Sequence, residues 1–290
     1  MATGRRSPCC APPVPESSRS APARRPPSLA CDCHIHVFGP YARYPLDPAR
    51  KYTPPEAPLE DYLAVARALG TDRVVLVQPS VYGTDNRCQR DAIAQLEERA
   101  RGVAVVEASI SEDALDELNG AGFVGARINL MREGDLESME TIAAKARPLG
   151  WHLQIHAPGA KLPELAERLL RLPVPFVIDH FGRVNAREGL EQPGFRALMR
   201  LVDSGRCWVK LSAPYRIDLD GAPYRKAAGL ARALVQRNPE RMVWGTDWPH
   251  PDVAVVPDDP GLLDALVDCV ADESTRNRIL VDNPAKLYRF

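Results

Sequence analysis

The sequence predicts an α/β fold, a single (β/α)8 TIM barrel. Two observations carry this. From Leu29 onward, short apolar runs alternate with longer amphipathic ones over about 260 residues, and eight of the short runs can be counted. No GxGxxG fingerprint and no phosphate loop interrupts them, so an open doubly wound sheet has little in its favour.

The eight expected strands are 30–36, 73–78, 102–107, 125–129, 151–156, 176–180, 207–211 and 242–247. Most are near-continuous Val, Ile and Leu, as parallel strands covered on both faces should be. Between them, 59–69 sets Leu59, Tyr62, Leu63, Ala66 and Leu69 on one helical face, and Gly70 stops it. Ser111 is placed to cap a short helix reaching Leu118, with acids in its first turn. Segments 222–236, 260–270 and 273–281 follow the same logic.

Composition sets the outer limits. The 290 residues are 45% hydrophobic and 26% charged, ordinary for a globular chain long enough to bury a sizeable core. A net charge of -1 argues against general nucleic-acid binding. No apolar run of about 18 residues exists to cross a membrane as a helix. The seven cysteines form no CxxC pair and no disulfide framework, which fits reduced thiols in a cytoplasm.

Residues 1–29 stand apart, rich in Pro, Ala, Ser and Arg, and they carry +4. The remaining body, 30–290, carries about -5 and is expected to be the barrel domain. The first segment lacks the apolar periodicity to order itself, so a disordered tail, or a start codon assigned upstream of the domain, is expected. A basic interaction arm is the other reading.

The ends of the strands are the informative places, because active sites of this fold sit there. Strand one ends Cys-Asp-Cys-His34-Ile-His36, and residues two apart face the same way, so both histidines should enter the barrel mouth. Strand five ends at His156, strand six at Asp179-His180, and strand eight at Asp247. A lone histidine at a strand end is ordinarily a satisfied polar residue, but four of the chain's six lie at such ends. His152, early in strand five, reads as structural, and His250, just past Asp247, fits either role. Asp32 and Asp179 are expected to point away from the mouth. Imidazoles with a carboxylate can bind a divalent metal and acidify its water, or can polarise a carbonyl without metal while Asp247 takes a proton from water.

Arginine supply is the second signal. Arg127 lies within strand four, Arg132 in the next loop, and Arg216 after strand seven. Arginine holds carboxylates bidentately, and a net-negative body needs such local charge to take an anionic substrate. Pairing with Asp and Glu on a solvated rim is the plainer alternative. The loops after strands one and two, containing Tyr52 and Ser80, look like substrate contacts or covers.

The segments CDCHIHVFGP, VVLVQPSVYGTDN, GARINL, VIDHFGR, WVKLSAPYR, WGTDWPHP and VDNPAKLY, in this order, resemble the amidohydrolase superfamily in its amidohydrolase 2 branch, from about residue 30 to 290. Within it the chain is most similar to lactonases of aromatic-compound breakdown, the group of pyrone-dicarboxylate and muconolactone hydrolases. The resemblance implies that His34, His36 and His180 are catalytic histidines and Asp247 the general base. It further implies that Tyr52, Ser80, Arg127, Arg132 and Arg216 contact the substrate. Position 156 departs, since the pyrone-dicarboxylate group carries tyrosine there. His156 would complete a metal set of His34, His36, His156 and Asp247 for one divalent ion, zinc being expected, whereas the group itself implies metal-independent chemistry. The expected function is hydrolysis of a small anionic lactone. A metal-dependent non-oxidative decarboxylase of an aromatic or unsaturated acid is the alternative.

Overall fold

A computed structural model describes residues 21–131 and 135–290. Eight parallel strands run in sequential order: β1 (Cys31–Ile35), β2 (Arg73–Val77), β3 (Ala100–Ala104), β4 (Phe123–Asn129), β5 (His152–His156), β6 (Phe176–Ile178), β7 (Cys207–Ser212) and β8 (Met242–Gly245). The seam closes beyond β8, where His36 N–H donates to the Trp248 carbonyl (2.8 Å) and Asp247 N–H to that of His34 (2.9 Å). The expected (β/α)8 barrel is what forms.

Helices α1 (Leu59–Leu69), α2 (Arg87–Leu96), α3 (Glu112–Gly120), α4 (Asp135–Ala146), α5 (Leu162–Arg171), α6 (Pro193–Asp203), α7 (Arg225–Arg237) and α8 (Asp259–Cys269) form the outer ring. Gly70 ends α1 in the left-handed region (φ 84°), and the Ser111 hydroxyl accepts from Ala114 N–H at the start of α3. Strand β3 begins and ends earlier than its hydropathy suggests, because its register pairs Val74 with Ala100 and Val77 with Val103. The expected helix 273–281 breaks into α9 (Glu273–Asn277) and a π turn, followed by α10 (Asn283–Tyr288).

Two cores result. One lies between strands and helices; the other fills the lower barrel with Cys31, Cys33, Val75, Val103, Val124, Val177, Trp208 and Val243. Tyr288 of α10 closes that inner core from below, fully buried. His152 packs edge-on against its ring (5.4 Å), away from the mouth. The polar residues of the upper barrel thus rest on an apolar floor.

Residues 1–20 of the expected tail lie outside the described residues. Residues 21–29 form no helix or strand but lie on the barrel's side, where Ala23 N–H donates to Asp264 of α8 (2.9 Å).

Candidate active site

The chain brings its chemistry to the mouth partly by breaking strand alternation. Strand β1 bulges between Asp32 and Ile35. Cys31 and Cys33 face the inner core below the bulge, and His34 and His36 face the mouth above it. Asp32 turns outward, accepting from Thr246 N–H (2.9 Å), Thr246 Oγ1 (2.7 Å) and His34 N–H (3.2 Å). Burial pushes its carboxyl up to about 6. After β6, His180, Phe181 and Arg183 adopt left-handed φ values of 51°, 55° and 52°. A strand would place Asp179 and His180 on opposite faces; this twist puts both inside. Asp247 is also left-handed (φ 73°). Such conformations cost roughly 1–2 kcal/mol each for residues with a Cβ, and they gather here at the mouth.

Asp247 is the centre of the arrangement. Its Oδ2 accepts from Tyr215 Oη (2.8 Å) and Arg216 Nε (2.8 Å). Its Oδ1 faces three imidazole Nε2 atoms, of His34 (3.5 Å), His36 (3.6 Å) and His180 (3.6 Å), all longer than an ordinary hydrogen bond. Against a desolvation that raises it, the Arg216 guanidinium above all holds the Asp247 carboxyl well below the usual carboxylate range. Burial keeps His34, His36 and His180 below the ordinary imidazole value, hence neutral. His36 Nδ1 must donate to the Val77 carbonyl (2.7 Å), so its Nε2 presents a lone pair toward Asp247.

Below this ring lies a second polar layer. Lys210 of β7, fully buried, donates to the Cys33 carbonyl (2.7 Å) and Gln154 Oε1 (2.7 Å), and lies 3.3 Å from His34 Nδ1. Burial lowers its ammonium to about 8. Asp179 stands 3.5 Å from His34 Nδ1 and 3.9 Å from Lys210, and accepts from Gln154 Nε2 (3.1 Å) and Arg127 (3.5 Å). The expectation that Asp179 points away is therefore corrected. Arg127 also donates to the Gln78 carbonyl (3.3 Å) and His156 Nδ1 (3.4 Å), while its Nε is buried without a partner.

The other expected contacts gather nearby. Tyr52 and Ser80 share a hydrogen bond within the fields of Arg127, Asp247 and Arg216, and burial raises the Tyr52 phenol. A cavity of about 430 Å3 is lined by Gln78, Ser80, Thr84, Glu107, Arg127 and Asn129. Arg132 lies outside the described residues. Sequence reasoning missed Tyr215, Lys210, Gln154, Ser212 and Arg183. Ser212 meets His180 Nδ1 (2.8 Å), and Arg183 sits in the fields of Arg216 and Asp247. Strand periodicity could have found Lys210 and Ser212, since both alternate inward on β7.

Among the described residues, two trios bring ligand atoms within 4.8 Å of one another: His34, His36 and Asp247, and His34, Asp179 and His180. The first fits a divalent cation. His34 Nε2 is buried without a partner, His36 Nε2 is freed by its bond to Val77, and Asp247 Oδ1 completes the donors. His156 joins neither trio, because its Nδ1 faces Arg127 instead; its expected place in the metal set is corrected.

Comparison with known proteins agrees with this architecture. The chain is 38% identical over 270 residues to 4-sulfomuconolactone hydrolase of Hydrogenophaga intermedia, covering 90% of this chain and 89% of that one. It is 36% identical over 283 residues to 2-pyrone-4,6-dicarboxylate hydrolase of Comamonas testosteroni, covering 93% of each. A crystal structure from Acinetobacter baumannii, provisionally assigned as a 2-pyrone-4,6-dicarboxylic acid hydrolase and holding citric acid, superposes with a TM-score of 0.81. That match is 28% identical and covers 90% of this chain and all of the other. Residues 31–290 match the amidohydrolase family profile, and the chain belongs to that family.

Proposed function

We propose that this chain is a lactone hydrolase acting on a small anionic lactone, of the pyrone-dicarboxylate or muconolactone type. The observation that carries the reading is Asp247 Oδ1 set among three neutral imidazoles, with Arg216 on its other oxygen and Arg127 against Asp179 in the layer below. Both relatives are named for opening lactones that carry acid groups, which supports the same substrate class.

In this reading the arginines, with Tyr52 and Ser80, hold the acid groups and seat the ring carbonyl above Asp247. Asp247 takes a proton from water while the water oxygen bonds to the carbonyl carbon. The carbonyl π electrons move onto oxygen, and His180, whose Nδ1 is met by Ser212 so that its Nε2 can donate, stabilises that oxyanion. Collapse breaks the ring C–O bond, and Asp247 returns its proton to the departing oxygen. A carboxylate held this far down is ionised at neutral pH and gives its proton back readily. A divalent cation held by His34, His36 and Asp247, zinc by its N and O donors, would polarise the carbonyl and acidify water.

The test is a lactone panel followed by ring-opening absorbance, with and without chelator, alongside carbon dioxide release. Ring opening of 2-pyrone-4,6-dicarboxylate or a sulfonated muconolactone without gas evolution is expected. Carbon dioxide release with no ring opening would establish the decarboxylase instead. Added Zn2+ should raise Tm, as a ligand bound to the native state must; an unmoved Tm would leave the histidines as the sole oxyanion partners.

A further inference from the structure

His250 is a buried histidine that the mechanism above does not use, and its surroundings assign it work. Asp247 Oδ2 accepts from Tyr215 Oη (2.8 Å), Tyr215 Oη lies 3.0 Å from His250 Nδ1, and His250 Nε2 lies 2.9 Å from Asp259 Oδ1. The chain of contacts runs from the mouth to the first residue of α8. His250 is 3% exposed and Asp259 9%, so water competes little along it.

Donor and acceptor roles then follow. An ionised carboxylate only accepts, so the single hydrogen of Tyr215 goes to Asp247. The Tyr215 oxygen is left as acceptor, and His250 Nδ1 must donate to it. Asp259 Oδ1 meets the other ring nitrogen, Nε2, and so fixes the imidazole with Nδ1 aimed at Tyr215. The turn that sets this up is held in left-handed conformations at both ends, Asp247 (φ 73°) and His250 (φ 60°).

We propose that His250 and Asp259 are positioning residues for the hydrolysis. Acting through Tyr215, they keep Asp247 Oδ2 occupied and so leave Oδ1 as the oxygen that meets the reacting water. This rests on the reading of Asp247 as the general base.

Two measurements test it. In enzyme labelled with 15N-histidine, Nδ1 of His250 should carry a hydrogen, with the ring resonances assigned by their loss in His250→Gln. Tyr215→Phe should move the Nδ1 resonance and Asp259→Asn the Nε2 resonance. A bare Nδ1 in the wild-type protein would overturn the proposal, whatever the substrate. In kinetics on 2-pyrone-4,6-dicarboxylate, Tyr215→Phe, His250→Gln and Asp259→Asn should each lower kcat roughly 10–100-fold, the scale of a lost supporting partner. KM should stay within about two-fold, since none of the three touches substrate. The double variant Tyr215→Phe/His250→Gln should be no slower than Tyr215→Phe alone. Multiplying losses, or a raised KM with kcat unchanged, would refute action through Tyr215. Should His250→Gln fail to fold, Asp259→Asn and the wild-type spectrum decide. If Asp247→Asn kept its rate, the general-base reading would fall, and the spectrum would still say whether the hydrogen-bonded line exists.

Discussion

Asp247→Asn separates chemistry from architecture, and the structure sets both magnitudes. An asparagine oriented with its oxygen at the Oδ2 position keeps the bonds from Tyr215 and Arg216. Its amide then faces the lone pair of His36 Nε2, a suitable acceptor. The shape survives, but no proton can be taken, so the rate should fall roughly 10²–10⁴-fold. Stability should fall too. The folded carboxyl is held well below its ordinary 3.8, so its ionised form stabilises the fold at every pH above that value. Stranding a buried charge costs about 3–5 kcal/mol at worst. Arg216 keeps the Pro251 carbonyl (2.7 Å) and the new amide oxygen, so a smaller loss is expected, on the order of 2 kcal/mol. That corresponds to a Tm drop of about 5 °C. Asp179→Asn should show the opposite balance, because Asp179 is the counter-charge to buried Lys210 and Arg127: a larger fall in Tm with a smaller specific loss of rate. Ring-opening absorbance and thermal unfolding on both variants suffice. Near-wild-type turnover by folded Asp247→Asn, with Asp179→Asn inert but equally stable, would refute the assignment of the base.

Other outcomes follow from the same contacts. Arg127→Met should cost a dicarboxylate lactone about 2–5 kcal/mol of transition-state binding and a neutral lactone much less, since its unpartnered Nε leaves donor capacity for an anion; equal losses in kcat/KM would mean that Arg127 only supports the fold. His156→Phe removes a buried Nε2 without a partner, so Tm should hold or rise while KM for the dicarboxylate worsens; a sharp fall in Tm would contradict this. His34, His36, His152, His156 and His180 all sit below 6.5 in the fold, so the unfolded chain binds more protons as pH drops. Unfolding free energy from urea titrations should therefore decline below about pH 6.5, by roughly 1 kcal/mol per pH unit for each such histidine; a flat profile down to pH 5 would show that they are not buried neutral.

How much was legible in the sequence depends on the range over which each feature is specified. The barrel was legible because each βα unit repeats a local pattern: Val-rich runs that can only be covered on both faces, then an amphipathic helix with its own stop, as at Gly70. His34, His36, His180 and Asp247 were legible because the fold exposes strand ends at one face, whatever the details. Local rules failed where the backbone leaves the strand. Counting back from His180 put Asp179 outside, yet Asp179 continues the inward face of Val177, and it is the left-handed turn at His180 that brings the histidine in beside it. Asp32 does point outward, but only because β1 bulges after it can His34 and His36 still face in. Partners distant in sequence were also illegible. Lys210 lies 176 residues from His34, and nothing local says that its ammonium ends beneath that ring. His156 looked like a metal ligand by spacing; the β4–β5 register gave it to Arg127 instead. Sequence periodicity thus determined which residues reach the mouth. Only the closed barrel decided which of them meet, because the distances between charges and lone pairs are set by strand register and turn geometry across the whole circumference.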